Sequence, residues 1–287
     1  MPLHRMDKWE VWLSATPSTV SGKDWHHVLL VENTEEREEF LPSLRAYAEW
    51  AHKPAVRRLR APFQESLEPD GSLADPAAGY PAALDAITLQ GYLGELIAGA
   101  VASHCSHVGE EWEVPAYLFH GHDLAFHELD RINQTGGKSK KIFGRTGDDC
   151  LAFRRDDQGR VTGVMHCEAK LTKSHDSKMI KENLKKLSEG LPRPVDIQRV
   201  IEALRYLDGD DLIEGWILSL QEYYFAGDPE ERVDMSSYAC GKHPVKDPTW
   251  IDLTKHPAEH TADRWLVAVE VHLQDVSDLV TKVYKET

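Results

Sequence analysis

The sequence predicts an α/β protein, with a central mixed β-sheet flanked by helices and extensions at both ends. Three observations carry this. Val28–Val31 near the start and Trp265–Leu273 near the end read as short apolar strands. Residues 147–170 read as a β-hairpin, because Asp156-Asp157-Gln158-Gly159 supplies the Asx and glycine residues of a tight reversal. Several intervening segments carry apolar residues at helical spacing, which suits helices packed on a sheet.

In chain order, Trp9-Glu10-Val11-Trp12-Leu13 alternates as a strand does, so residues 1–32 read as β-rich. Asn33 with Glu36 forms a capping-box pattern that opens a helix running to about His52. Its apolar stripe is Phe40, Leu41, Leu44, Tyr47, Ala48 and Ala51, and Pro54 ends it. The prolines and glycines through residue 82 read as a connection. From Ala82 to Ser103 only Asp85 and Glu95 are charged, so the helix from about Ala83 is buried all round, with Asp85 at its favourable positive end.

Residues 104–146 are rich in histidine. His104 and His107 have the spacing to share a helix face and bind zinc, yet no Cys/His pair recurs at finger spacing; the alternative is hydrogen-bonded or surface histidines, as for His120, His122 and His127. Gln134–Lys141 contains Gly-Lys-Ser without the phosphate-loop spacing and reads as a basic loop. After the hairpin, Ser174–Glu189 is a lysine-rich amphipathic helix with Ile180, Leu184 and Leu187 inward and Gly190 as its cap. A helix from Pro194 to about Leu207 buries Ile197, Val200, Ile201 and Leu204, with Gln198 facing either the site or solvent. Leu212–Phe225 fits a strand or a helix equally well; residues 226–262 read as irregular, and Asp275 starts a short last helix. Three segments follow: 1–82 packing on the core, 83–225 as the core, and 226–287 as part of the same globular unit.

Composition narrows the class. Hydrophobic (41%) and charged (28%) fractions are those of a soluble globular protein of 287 residues. No apolar run approaches the ~18 residues of a membrane span, and the first residues lack a signal peptide's apolar region. Four irregularly spaced cysteines read as reduced thiols, so a cytoplasmic protein is expected. A net charge of −15 argues against a general nucleic-acid coat. Between Lys138 and Lys186, however, 13 Lys/Arg face 7 Asp/Glu, a local +6 that leaves −21 on the rest. Such a patch suits contact with phosphate at one place, through Lys138, Lys140, Lys141, Arg145, Lys173 and Lys178; the alternative is a solvated lysine-rich helix face.

The hairpin carries the chemistry. Strand alternation puts Glu168 and Lys170 on one face, and Asp149 on one face with Leu151 and Phe153. Two carboxylates and a lysine at one end of a hairpin can hold Mg²⁺, or Mn²⁺ in its place, and activate water for phosphodiester hydrolysis. Asp149 and Glu168 are the candidate ligands, with the Ala169 carbonyl beside them, and Lys170 positions the water or stabilises developing charge. Glu95, ionisable within a buried helix, needs either a metal or a buried arginine, and is the candidate third ligand. The blandest alternative is a surface charge cluster on an ordinary hairpin.

Gly94-Glu95 on a helix, Gly147-x-Asp149 opening a strand, Glu168-Ala169-Lys170 ending the next, and then helices resemble the PD-(D/E)xK nuclease superfamily over residues 84–207. Order and spacing are most like the HamA-type nuclease subunit of Hachiman anti-phage defence. The resemblance implies a restriction-endonuclease-like core, magnesium-dependent cleavage of DNA, and control by a superfamily 2 helicase subunit encoded nearby. It departs from the family in having Gly-Asp-Asp where Pro-Asp is usual, which leaves Asp148 as an alternative to Asp149. Two rival expectations stand beside it: an inactive nuclease-fold regulatory subunit, and another metal-dependent hydrolase using the histidines.

Overall fold

The computed structural model describes residues 6–18, 24–63, 75–105, 112–119, 126, 129, 131–132, 135–137, 149–189, 194–207, 211–226, 231–245 and 248–286. Six strands form one mixed sheet: β1 Leu13–Ser18, β2 Trp25–Glu32, β3 Cys150–Arg155, β4 Val161–Thr172, β5 Glu231–Cys240 and β6 Trp265–His272. Their order is β1-β2-β6-β5-β4-β3. The four central strands run parallel, and antiparallel β1 and β3 close the two sides. Parallel strands need helices on both faces. The described helices are α1 Trp9–Trp12, α2 Arg37–Arg60, α3 Ala86–His104, α4 Ser177–Glu189, α5 Pro194–Arg205, α6 Asp211–Ala226 and α7 Val276–Tyr284. The fold is α/β with a central mixed sheet flanked by helices.

Alternation along the strands divides the core. Met165, Cys167, Ala169 and Leu171 of β4 join Val267, Val269 and Val271 of β6 beneath α2, α3 and α7. The opposite face packs Leu151, Phe153 and Val164 under α5 and α6, and Tyr238, Leu266 and Ala268 under α4. Helix α3 starts where Asp85 accepts from the Ile87 and Thr88 N–H groups. It lies close on β4 at Gly94, where a Cβ would stand 3.0 Å from that of Leu171. The hairpin turn forms as its composition predicts, with the Asp156 carboxylate accepting from the N–H groups of Gln158 and Arg160 and Gly159 at φ +81°.

Three local expectations need correction, and one open choice is settled. Trp9–Trp12 is a helical turn, because four residues satisfy both periods and the i, i+3 pair Trp9 and Trp12 buries together. Helix α2 continues through Pro54 to Arg60; burial of Ala51, His52 and Ala55 outweighs the hydrogen bond that a proline forfeits. Leu212–Phe225 belongs to a helix, α6. Within 226–262, Glu231–Cys240 is the inner strand β5. Each of the three chain segments supplies two strands to the one sheet. All four cysteines are buried and unbridged.

Candidate active site

Register brings the hairpin residues together. Cys150 pairs with Cys167, which sets Asp149 opposite Glu168 just beyond the start of β3. The Asp149 N–H donates to the Cys167 carbonyl at 3.1 Å, and the Ala169 N–H donates to Asp149 Oδ2 at 2.8 Å. Lys170 Nζ lies 3.6 Å from Asp149 Oδ2 and 3.9 Å from Glu168 Oε2. Asp149 (6% exposed) and Glu168 (0%) are buried, whereas the lysine reaches solvent.

A fourth member was not singled out from the sequence. Lys186 on α4 contacts Glu168 Oε1 and lies 3.7 Å from Asp149 Oδ1. The helix is set by Asn183, whose amide donates to the Glu168 carbonyl at 2.9 Å and to Ser236 Oγ at 3.1 Å. Lys186 follows one turn later and so projects toward the carboxylates. The available signal was Asn183 itself, a polar residue within the stripe of Ile180, Leu184 and Leu187.

Burial first, and then the Asp149 charge, push the Glu168 carboxyl well above the usual carboxylate range, while Lys186 and Lys170 pull it back. The Lys186 ammonium is in contact with Glu168 Oε1 and that of Lys170 lies farther from Oε2; these two ammoniums offset its burial. Ionisation there depends on a neighbouring cation.

Glu95 is placed apart. Its helix, α3, packs on the opposite face of the sheet, and burial followed by the Glu95 charge pushes the Tyr92 hydroxyl's pKa up. Among the described residues no three His, Cys, Asp or Glu side chains are grouped to hold a metal, so a three-carboxylate ligand set is not formed there. Asp148, Lys138, Lys140, Lys141, Arg145, Gly190, His107, His120, His122 and His127 lie outside the described residues. His104 has a structural place, accepting from the Met6 N–H at 2.9 Å. Lys173 is exposed just after β4, and Lys178 is exposed in the first turn of α4. Gln198 bonds the Tyr224 hydroxyl at 2.8 Å, joining α5 to α6.

Neither a protein-family model nor a curated protein matches the sequence. Among the described residues no helix is long and apolar enough to cross a membrane. Functional inference therefore rests on the hairpin and α4.

Proposed function

We propose that the chain is a metal-dependent nuclease that hydrolyses phosphodiester bonds of DNA. In this reading it is the effector subunit of an anti-phage pair controlled by a helicase, as the resemblance to HamA-type PD-(D/E)xK nucleases implies. The observation that carries the reading is the meeting of Asp149, Glu168 and Lys170 on one sheet face, near the carboxyl ends of the parallel strands.

The residues fit a hard divalent cation. Mg²⁺ takes one or two carboxylates and completes its shell with water and substrate phosphate, and Glu168 offers two buried oxygens offset by the ammoniums of Lys186 and Lys170. Asp149 and Glu168 would hold the ion. Bound there, it neutralises phosphoryl charge and makes water more acidic. The Ala169 N–H fixes one Asp149 oxygen, so that carboxylate cannot rotate freely. The ammonium of Lys170, anchored at 3.0 Å to its neighbour's carbonyl, holds water or a phosphoryl oxygen beside both carboxylates. Hydrolysis exchanges one P–O ester bond for a bond to the water oxygen, and the water's proton ends on the departing alkoxide.

A second reading, the inactive regulatory subunit, is favoured by Lys186: two ammoniums already balance two carboxylates. Supercoiled plasmid incubated with the purified chain and Mg²⁺ separates the two. The nuclease reading expects cleavage that EDTA stops and that Glu168→Ala and Lys170→Ala each reduce at least a hundredfold, the scale of losing one preorganised charge. Cleavage unchanged in both variants would point to a different site or a contaminant.

A further inference from the structure

Beyond the hydrolytic cluster, four rings form a continuous strip at the carboxyl ends of the parallel strands. The exposed His175 ring stacks on Trp250, with centroids 4.9 Å apart and planes 4° from parallel. Trp250 meets the buried His272 edge-on at 4.5 Å and 61°, and His272 meets the exposed His243 at 5.3 Å and 59°. Glu270 and His272 of β6 share a sheet face with Tyr238 of β5 and Lys170 of β4, and Lys170 pairs in register with Tyr238.

The strip is built rather than incidental. One buried carboxylate, Glu270, accepts from the Trp250 backbone N–H at 2.9 Å and pairs with the His272 ring at 3.2 Å, which ties the backbone that carries Trp250 to the His272 imidazole. The Tyr238 hydroxyl accepts from the Asp176 N–H at 2.8 Å and pairs with Thr172 Oγ1 at 3.1 Å, which ties down the turn that carries His175. Exposed Lys173 and Lys242 leave the ends of β4 and β5, where the Gly241 N–H donates to the Thr172 carbonyl at 2.9 Å. Two lysines at adjacent strand ends flank the rings. Crevices outside the carboxyl ends of parallel strands are where α/β sheets bind ligands.

We propose that this strip binds single-stranded nucleic acid, with unpaired bases stacking on the exposed His175 and His243 rings at its two ends and the phosphates on Lys173 and Lys242. Stacking platforms flanked by cations bind single strands with little sequence preference, because every base offers a π-face. A base within a duplex is covered by its neighbours and has no such face to give. The site therefore selects unpaired over paired strands. Its role in feeding the cleavage site rests on the nuclease reading; its binding does not.

The test is fluorescence anisotropy of a 5′-labelled oligothymidylate of about 12 nucleotides, with the full chain in EDTA at low salt. The wild type is expected to bind it. Duplex of equal length, and the same strand with abasic sites, should bind about tenfold more weakly, as should His175→Ala. Lys242→Ala should weaken binding and flatten its salt dependence. If His175→Ala melts early, Lys242→Ala and the abasic strand still decide. An unbound single strand, a preferred duplex, or unchanged affinity for the abasic strand overturns the site. Plasmid cleavage by Lys170→Ala is read separately: persistence there sinks the nuclease reading and leaves the binding result standing.

Discussion

Glu168 is a buried carboxyl offset by two ammoniums, Lys186 and Lys170, directly across the hairpin from a second carboxylate. Such a group is retained against its own stability. Glu168→Gln keeps the shape, removes the ionisable group and with it the cost of charging it beside Asp149, while the freed lysines reach water. The variant is expected to lose cleavage and to melt about 2–4 °C higher, the shift of roughly 1 kcal/mol in a chain of this size. A lower melting temperature would mean that the lysine pairs outweigh the burial of Glu168, and calorimetry reads the difference. At this scale the sequence was informative where chemistry followed strand alternation: Asp149, Glu168 and Lys170 share a face because period 2 and the hairpin register require it. Lys186 was not legible, since its contact depends on how α4 is rotated, and lysines at 181, 185 and 186 are equivalent as letters.

Asn183 decides that rotation. Removing it with Asn183→Ala leaves the Glu168 carbonyl without its amide donor, at about 1–3 kcal/mol, and lets α4 turn. Loss of the Lys186 contact should then lower cleavage more than Lys185→Ala on the same helix does; equal effects of the two would remove α4 from the site. Helix α3 offers a packing test. A Cβ at Gly99 would stand 2.1 Å from the Tyr117 hydroxyl, which donates to the Leu96 carbonyl. Gly99→Ala is expected to destabilise by about 1–3 kcal/mol through overpacking, visible as a lower urea midpoint; no change would mean that the Tyr117 ring shifts freely. The elements differed in legibility for a common reason. Helix α3 is apolar and buried nearly all round, and α4 and α5 bury apolar stripes of the expected period. Strand β5 buries Asp234, Ser236 and Ser237 instead, partnered by His260, Arg264 and Asn183, so no apolar alternation marks it.

Across the whole molecule the sheet order had no sequence signature, because β5 and β6 come late in the chain and insert between β4 and β2. Those two strands carry buried carboxylates that tie the molecule's stability to pH. Burial raises the Glu270 carboxyl, but hydrogen bonds with His27 and His272 and from the Trp250 N–H hold it down to about 2. Burial likewise opposes, and His260 and Arg264 overcome, at Asp234, which is also lowered. A carboxyl with a depressed folded pKa stabilises above its unfolded pKa and loses that contribution as pH falls through the folded value. For Glu270 the window opens near the ordinary glutamate value of about 4.3 and closes near 2, spanning about 3 kcal/mol. Wild type should therefore exceed Glu270→Gln in unfolding free energy at pH 6, with the gap narrowing steadily toward pH 2.5. A gap constant across that range would show that Glu270 stabilises by shape and hydrogen bonding alone. Because the same carboxylate fixes Trp250 and His272, Glu270→Gln should also weaken oligothymidylate binding at neutral pH, joining the fold's acid stability to its strip of rings.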